Sequence, residues 1–167
     1  MSDSRKGIRE LETAIHSLPS SRKIHLLTAG GGDAPAFKVP HTHLGPVSDD
    51  ERLSFFYSAC DLFICPSLQD NLPNTVMESM ACGTPVVAFE TGGLPDLVRA
   101  GVSGKLATPS GDPLALAAAI SELLSDADRL LKMRALTRAL AVNEYGLGVC
   151  AGQYRELYAH VCGQKLV

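Results

Sequence analysis

The sequence predicts an α/β fold, a three-layer α/β/α, Rossmann-like domain built on a mostly parallel sheet. The pattern of apolar residues predicts the fold, and the length predicts the number of domains. Short apolar runs alternate along the chain with segments whose apolar residues recur every three or four positions, which is typical of strands alternating with helices. In addition, the 167 residues suit one core, so we expect a single domain over residues 1–167.

The first part of the chain predicts a helix followed by two strands. Residues 6–18 carry apolar side chains at helical spacing. Residues 24–28 form a short apolar strand that ends at three glycines. Residues 39–44 form a weaker strand, in which Pro40 indicates an edge position because proline cannot donate to a strand ladder.

A capping box opens the next predicted helix, since Ser48 is followed three residues later by Glu51. Strands are predicted at 61–65, 85–89 and 104–107, with helices at 74–82 and 94–101 between them. Asp112 followed by Pro113 predicts the start of a helix over 114–124. Two further helices are predicted at 126–141 and 148–160.

One expected element is missing from this order. A chain that starts with a helix lacks the strand that precedes the first helix of a βαβ fold, so the sequence reads as truncated at the first strand. In doubly wound sheets that strand is central. We therefore expect one of two compensations: either the strand at 24–28 pairs directly with the strand at 61–65, or another chain, such as the second copy in a homodimer, fills the gap.

Composition excludes several classes of function. The net charge of −3, the 5% aromatic content and the absence of tryptophan argue against a nucleic-acid partner. The longest apolar run, 114–120, is too short to span a bilayer, and no signal peptide opens the chain, so we expect a cytoplasmic protein. The five cysteines form no CxxC pair, which indicates reduced thiols.

The most informative stretch, 66–89, joins two apolar strands through a polar loop and a helix. Asp70 lies in the loop at the carboxyl end of the first strand, and Glu78 lies eight residues later, inside the helix. Open α/β sheets bind ligands at such ends. This spacing lets one carboxylate face a ligand at the loop while the other reaches the same ligand from the helix.

These residues, PSLQDNLPNTVMESMACGTPVVAF, resemble the C-terminal, donor-binding domain of GT-B glycosyltransferases, specifically the retaining enzymes of family 4, or group 1. The resemblance extends over nearly the whole chain through the ordered set Arg5-Lys6-Gly7, Gly30-Gly31-Gly32, His43-Leu44-Gly45 and Thr91-Gly92-Gly93. It implies a nucleotide-sugar substrate, such as a UDP- or GDP-sugar, no cofactor or metal, and a role in polysaccharide or glycoconjugate biosynthesis.

The resemblance also implies roles for individual residues. Family members carry two glutamates in a pattern like P-S-x-x-E-x7-E; here Asp70 and Glu78 hold those positions, and Lys6 matches the lysine that contacts the donor diphosphate. These three are the implied catalytic residues, with Glu78 bonded to ribose hydroxyls. The implied donor-binding residues are Arg5, Gly31, His43, Leu44, Asn71, Leu72, Pro73, Asn74, Thr75, Gly92 and Gly93.

Two departures from the family pattern bear on activity. The arginine that supplies a second phosphate contact belongs on the strand ahead of the lysine, and that strand is missing. The N-terminal acceptor domain, the expected partner in catalysis, is absent as well. Because GT-B transfer takes place between two domains, this chain alone is expected to bind a donor and to transfer sugar poorly or not at all. For the full enzyme, the resemblance also implies peripheral association with a membrane.

Other interpretations stay open beside this one. The fold is also compatible with a catalytically inactive fragment or a regulatory binding module. A dinucleotide-dependent oxidoreductase is disfavoured because Gly30-Gly31-Gly32 is not a G-x-G-x-x-G sequence.

Several candidate residues also have a structural interpretation. Asn74 and Asp96 are expected to be helix N-caps, and Cys65 and Cys82 to be packing residues. His41 and His43 share a strand face, but no further ligands complete a metal site.

Overall fold

The computed structural model describes residues 4–32 and 36–163, and within them it has the predicted parallel α/β architecture. A 3-10 turn, Ser4–Lys6, opens the described chain. The elements that follow are α1 (Ile8–His16), β1 (Leu26–Thr28), β2 (His41–His43), α2 (Asp50–Ser58), β3 (Phe63–Cys65), α3 (Asn74–Ala81), β4 (Val86–Phe89), α4 (Leu94–Leu97), β5 (Gly104–Ala107), α5 (Pro113–Leu123), α6 (Ala127–Tyr145) and α7 (Leu147–Val161).

The strands form two parallel sheets. One contains β1 and β2, and the other has the order β3–β4–β5. Within the second sheet, Val87 of β4 is paired with Ile64 on one side and Lys105 on the other. Every residue of β4 is buried, which explains why a central parallel strand is a continuous apolar run. Pro40 directly precedes β2, whose described partner is β1 alone, so the edge position predicted for this strand is confirmed.

The two sheets do not meet. Within residues 4–32 and 36–163, β1 pairs with β2 and β3 pairs with β4, and no ladder joins β1 to β3. The prediction that the strand at 24–28 pairs directly with the strand at 61–65 is therefore wrong. Apolar residues of both sheets, among them Leu26 and Ile64, pack into one cluster with α1 and α5. The alternative compensation, a second chain in the gap, stays a prediction.

Helices cover both faces of the larger sheet and enclose two apolar clusters. On one face, α1 and α5 pack over Val87 and Phe89 of β4. On the other, α3 and α4 pack over Val86 and Ala88, and α6 contributes to both clusters. The alternation along β4 follows from the two-residue period of a strand. The described helices include none with the length and apolar character needed to cross a bilayer.

Three of the predicted helix caps differ from the structure. Asp112 caps α5 as predicted, and its side chain accepts from the backbone N–H of Leu114 at 2.9 Å. Helix α2, however, is capped by Asp49 instead of Ser48, because the Asp49 carboxylate accepts the N–H of Arg52 at 2.7 Å. A charged acceptor one residue further on takes the place of the predicted hydroxyl.

The caps predicted at Asn74 and Asp96 are also wrong. Pro73, with extended backbone, is the N-cap of α3, so Asn74 is its first helical residue. Gly93 is the N-cap of α4, which places Asp96 in the first turn. In neither helix does a side chain make a hydrogen bond that caps the amino end.

Candidate functional site

A cavity of about 1470 Å³ opens at the carboxyl ends of β1 and β3 and continues into the gap between the two sheets. Six residues predicted for the site line it: Lys6, Gly31, His43, Asp70, Thr75 and Glu78. They come from separate parts of the chain, and the parallel strand order is what brings them together. We call this end of the cavity, lined by these six residues, the carboxyl-end site.

Lys6 and Asp70 form an ion pair at this site. The Lys6 Nζ donates to Asp70 Oδ2 at 2.9 Å, and the hydroxyl of Ser67 donates to the same oxygen at 3.5 Å. The Asp70 side chain is 16% exposed, whereas that of Lys6 is 56% exposed. The carboxylate is thus held in place within the loop, and the ammonium group remains open to solvent and to a ligand.

The 3-10 turn explains how Lys6 reaches a loop 64 positions away. Arg5 accepts the backbone N–H of Leu68 at 2.7 Å through its carbonyl oxygen, which fastens the turn to the exit of β3. Gly7 has a φ of +64°, and a Cβ there would lie 1.8 Å from the carbonyl oxygen of Pro66. Only glycine permits this approach. Helix α1 therefore starts at Ile8, after Lys6, and not at Lys6 as predicted.

Glu78 lies on α3 and has one partner that sequence reasoning missed. The hydroxyl of Tyr57, on α2, donates to Glu78 Oε2 at 2.9 Å. Burial and the adjacent Glu78 carboxylate together raise the pKa of Tyr57 above its ordinary value, because both disfavour the phenolate. The phenol therefore stays a donor and orients the carboxylate. A tyrosine 21 positions earlier on another helix carries no local signal of this contact.

Gly92 and Gly93 lie beneath the Asp70 loop and do not line the cavity. A Cβ on Gly92 would be 1.7 Å from the carbonyl oxygen of Asp70, and one on Gly93 would be 1.9 Å from that of Asn71. The N–H of Gly93 donates to the carbonyl of Asp70 at 3.3 Å, and Thr91 Oγ1 donates to that of Leu68 at 3.1 Å. The close approach that requires glycine is thus made to the loop, and it positions Asp70. Donor contact by these glycines remains a prediction.

The histidines of β2 share one hydroxyl. Thr28 Oγ1 lies 2.7 Å from His41 Nε2 and 3.0 Å from His43 Nδ1. His43 Nε2 is buried and has no hydrogen-bond partner among the described residues. The part of the chain that the structure describes contains no group of three or more histidine, cysteine or acidic residues that could hold a metal ion.

The remaining predicted donor-binding residues do not line the cavity. Pro73 is buried at the start of α3 and Gly93 is half-buried, whereas the others are exposed: Arg5, Leu44, Asn71, Leu72, Asn74 and Gly92. Asn74 and Thr75 begin α3, where the first backbone N–H groups of a helix have no intrahelical acceptor. This end of the helix is open to an anionic group.

Cys65 and Cys82 behave as packing residues. Cys65 is buried beneath Ser67, and burial raises the pKa of its thiol. Burial also raises the pKa of the Cys82 thiol. Because the thiolate is the reactive form, both side chains are poor nucleophiles.

Comparison with known proteins places this geometry in a family. The model for "Glycosyl transferases group 1" matches residues 1–126. This chain belongs to the group 1 glycosyltransferases. It is 36% identical over 171 residues to the D-inositol 3-phosphate glycosyltransferase of Xylanimonas cellulosilytica, which covers 96% of the chain and 40% of that relative. This chain spans less than half the length of the curated relatives it matches.

Solved structures agree on the fold. Sucrose-phosphate synthase from Thermosynechococcus elongatus superposes with a TM-score of 0.82 and 29% sequence identity. The match covers 96% of this chain and 43% of the synthase chain. The Anabaena protein HepE, crystallised in complex with UDP, superposes with a TM-score of 0.80 and 25% identity. The match covers 95% of this chain and 46% of the HepE chain. The C-terminal domain of the group 1 protein LpcC from Francisella tularensis matches 87% of the chain and 82% of its own, at 19% identity and a TM-score of 0.67, and shows the fold alone. The GT-B C-terminal fold predicted from the sequence is confirmed.

Proposed function

We propose that this domain, residues 1–167, binds a nucleotide-diphosphate sugar at the carboxyl-end site. It would be the donor half of a retaining glycosyltransferase of polysaccharide or glycoconjugate assembly, in the cytoplasm. The observation that carries the proposal is the convergence of one cation, Lys6, and two carboxylates, Asp70 and Glu78, on a single cavity at the carboxyl ends of parallel strands. The whole enzyme would require an acceptor-binding partner domain.

The division of charge supports a ligand with both hydroxyl and phosphate groups. Among the described residues, Glu78 accepts a hydrogen bond from Tyr57 through Oε2, and its other oxygen is available to accept from a ribose hydroxyl. The exposed ammonium of Lys6 and the open backbone N–H groups at the start of α3 suit a diphosphate. Hydroxyl recognition and phosphate recognition thus have separate groups.

His43 offers the ligand a further hydrogen-bonding group, its buried ring nitrogen Nε2. A buried ring nitrogen without a partner costs about 1–3 kcal/mol, and a hydrogen bond from a bound ligand would remove that cost. His43 lines the same cavity as Glu78, so a nucleotide held at Glu78 would have this nitrogen within the same enclosure. This supports the prediction that His43 is a donor-binding residue.

In the intact enzyme these groups would act electrostatically. Sugar transfer expels the nucleoside diphosphate from the anomeric carbon, and negative charge grows on the leaving phosphate as that bond breaks. Lys6 and the backbone N–H groups of α3 would stabilise the growing charge. Asp70, paired with Lys6 in the free protein, would keep the lysine aimed at the site and accept hydrogen bonds from sugar hydroxyls.

Calorimetric titration of the domain with UDP, GDP and a UDP-sugar tests the proposal. Glu78→Gln and Lys6→Met should each weaken binding about tenfold or more, because hydrogen bonds to charged groups contribute about 1.5–3 kcal/mol. Matched controls are Glu51→Gln on α2 and Lys132→Met on α6, since both residues are exposed and neither lines the cavity. Equal losses in the controls, or none in the site variants, would contradict the assignment.

One observation favours a second candidate, a module that keeps the fold without donor affinity. Lys6 and Asp70 satisfy each other at 2.9 Å, so the pair has a structural role without any ligand. The same titration distinguishes the two functions. If the fold is intact and no nucleotide binds with a dissociation constant below about 1 mM, the result would support the module.

A further inference from the structure

Three polar side chains of the smaller sheet form a hydrogen-bonded chain that ends in the cavity of the carboxyl-end site. Thr28 lies on β1, His41 and His43 lie on β2, and all three are half-buried. Thr28 and His43 line the cavity, whereas His41 does not. The ring of His41 packs edge-on against Phe37, with 5.3 Å between the ring centroids. His41 therefore affects a ligand in the cavity only through its neighbours.

The hydroxyl of Thr28 lies between two ring nitrogens. Its oxygen is 2.7 Å from His41 Nε2 and 3.0 Å from His43 Nδ1. A hydroxyl has a single proton, so it donates to at most one of these two nitrogens. A neutral imidazole has a proton on one nitrogen and a lone pair on the other. The direction of the Thr28 hydroxyl therefore determines which nitrogen of His43 is protonated.

The two distances favour donation from Thr28 to His41. Hydrogen bonds donated by hydroxyl groups are typically shorter than those donated by N–H groups, with common lengths to oxygen of about 2.7–2.8 Å and about 2.9–3.0 Å. The contact of 2.7 Å thus matches an O–H donor and His41 Nε2 as acceptor. The contact of 3.0 Å matches an N–H donor at His43 Nδ1. With its proton on Nδ1, His43 has an unprotonated Nε2.

This assignment gives a chemical character to the nitrogen of His43 that has no partner. His43 Nε2 is buried and makes no hydrogen bond within the part of the chain that the structure describes. Without a proton it is an acceptor only, so it pairs with an N–H or O–H group and not with a carbonyl or phosphate oxygen. A nucleotide has such donors on its base and on its ribose.

We propose that His41, acting through the Thr28 hydroxyl, holds His43 in the tautomer protonated on Nδ1, so that His43 Nε2 accepts a hydrogen bond from the bound nucleotide. The nucleotide is the ligand of the proposed function, on which this inference rests. His43 contacts the ligand, and His41 and Thr28 are positioning residues. The tautomer selects against ligands that present only acceptor atoms to His43.

Nitrogen NMR of the free protein measures the tautomer without any nucleotide. The chemical shifts of an imidazole show which ring nitrogen carries the proton, and spectra at about pH 8 avoid the range in which imidazole ordinarily titrates. His43 should be protonated on Nδ1 in the natural protein. In His41→Phe the aromatic ring beside Phe37 is kept, but the Thr28 hydroxyl loses its acceptor and becomes free to donate to His43 Nδ1. The population protonated on Nε2 should then increase.

Variants of the hydroxyl itself separate its role from the shape of the side chain. Thr28→Val keeps the branched side chain without the hydroxyl, so both tautomers of His43 should be populated. Thr28→Ser keeps the hydroxyl and should restore protonation on Nδ1. Thr42→Val is the matched control, because it removes a hydroxyl of β2 that lies 2.9 Å from His25 Nε2 and should leave His43 unchanged.

Calorimetric titration connects the tautomer to the ligand. The titrant is UDP or GDP, whichever the natural protein binds. His41→Phe and Thr28→Val should weaken its binding about two- to tenfold, the effect of one neutral hydrogen bond, whereas Thr28→Ser and Thr42→Val should not. Analogues of the same diphosphate identify the donor: one is methylated on the ring N–H of its base, and two lack the 2′ or the 3′ hydroxyl. The natural protein and His41→Phe should bind one of these analogues equally.

Each alternative result overturns a defined part of the inference. Protonation of His43 on Nε2 in the natural protein, or a tautomer that His41→Phe and Thr28→Val leave unchanged, would overturn the positioning role. Equal binding of the nucleotide by the natural protein and both variants, or weakening of all three analogues as large as that of the parent nucleotide, would overturn the ligand contact. If neither UDP nor GDP binds, the proposed function fails and the ligand contact with it, while the spectra still decide whether His41 sets the tautomer.

Discussion

At the scale of single residues, the site depends on contacts that hold Asp70 and Glu78 in position. Asp70 is fixed from three directions, by the ammonium of Lys6, the hydroxyl of Ser67 and the N–H of Gly93 on its own carbonyl. Glu78 is fixed by Tyr57. Two predictions about stability and one about pH follow from these contacts.

The first concerns Gly92, beneath the loop. Gly92→Ala should lower the free energy of unfolding by about 1–3 kcal/mol, because the new Cβ would overlap the Asp70 carbonyl oxygen and φ is +54°. Gly31→Ala is the matched control: apart from its chain neighbours, no atom of the described residues would lie within 4 Å of a Cβ there, so it should change stability little. Urea denaturation of both variants measures the difference. Equal stabilities would show that the loop adapts freely.

The second concerns the hydroxyl of Tyr57. Tyr57→Phe should cost about 1–3 kcal/mol, because the Glu78 carboxylate loses its donor in a part-buried position. Tyr154→Phe on α7 is the control, since that side chain is 61% exposed. Thermal melts at neutral pH measure both. A Tyr57 variant as stable as the control would mean that water replaces the phenol at no cost.

The pH dependence has a definite sign. The pKa of Tyr57 is raised above its ordinary value of 10.0, so the folded protein retains a proton that the unfolded chain loses above about pH 10. This contribution to stability is complete below that pH and decreases as the pH rises further. The free energy of unfolding of the natural protein should therefore fall more steeply above pH 10 than that of Tyr57→Phe. Parallel curves for the two proteins would contradict the assigned shift.

At the scale of elements, the helices differ in how firmly they belong to the core. Helix α6 buries Met133, Thr137 and Leu140, whereas α7 buries no residue. Instead α7 exposes a row of large apolar side chains: Leu147, Tyr154, Leu157, Tyr158 and Val161. Since most helical stability in proteins comes from packing an apolar face, α7 contributes little to this domain.

Removal of residues 147–167 should consequently leave the melting temperature within a few degrees of the natural value. Leu140→Ala, one helix earlier, is the comparison and should cost about 2–5 kcal/mol, because that side chain is buried between α6 and the sheet. Both are measured by thermal denaturation. A truncation as damaging as Leu140→Ala would show that α7 packs more firmly than its exposure indicates.

At the scale of the whole molecule, the architecture determines the site. Parallel strands with their carboxyl ends at one edge bring Lys6, Asp70 and Glu78 together although the first and last are 72 positions apart. The same architecture leaves a groove beside the site, because β1 and β3 are separated.

The accuracy of the sequence predictions followed the range of the interactions involved. The strand at 104–107 was predicted with its observed bounds, and the helix after Asp112 with its cap, because periodicity and capping are local. The caps at Ser48, Asn74 and Asp96 were wrong: the Asp49 carboxylate caps α2, and no side chain caps the amino end of α3 or α4. These errors moved helix starts by one to three residues without changing the order of elements.

The parallel α/β order, the family, and the loop and helix that carry Asp70 and Glu78 could all be predicted from the sequence, because apolar periodicity and turn residues are local features. The contact between Tyr57 and Glu78, the support of the Asp70 loop by Gly92 and Gly93, and the separation of β1 from β3 became visible only in the folded molecule. The physical reason is distance along the chain. These contacts join residues far apart in sequence, and only the packed sheets and helices bring them within a few ångströms.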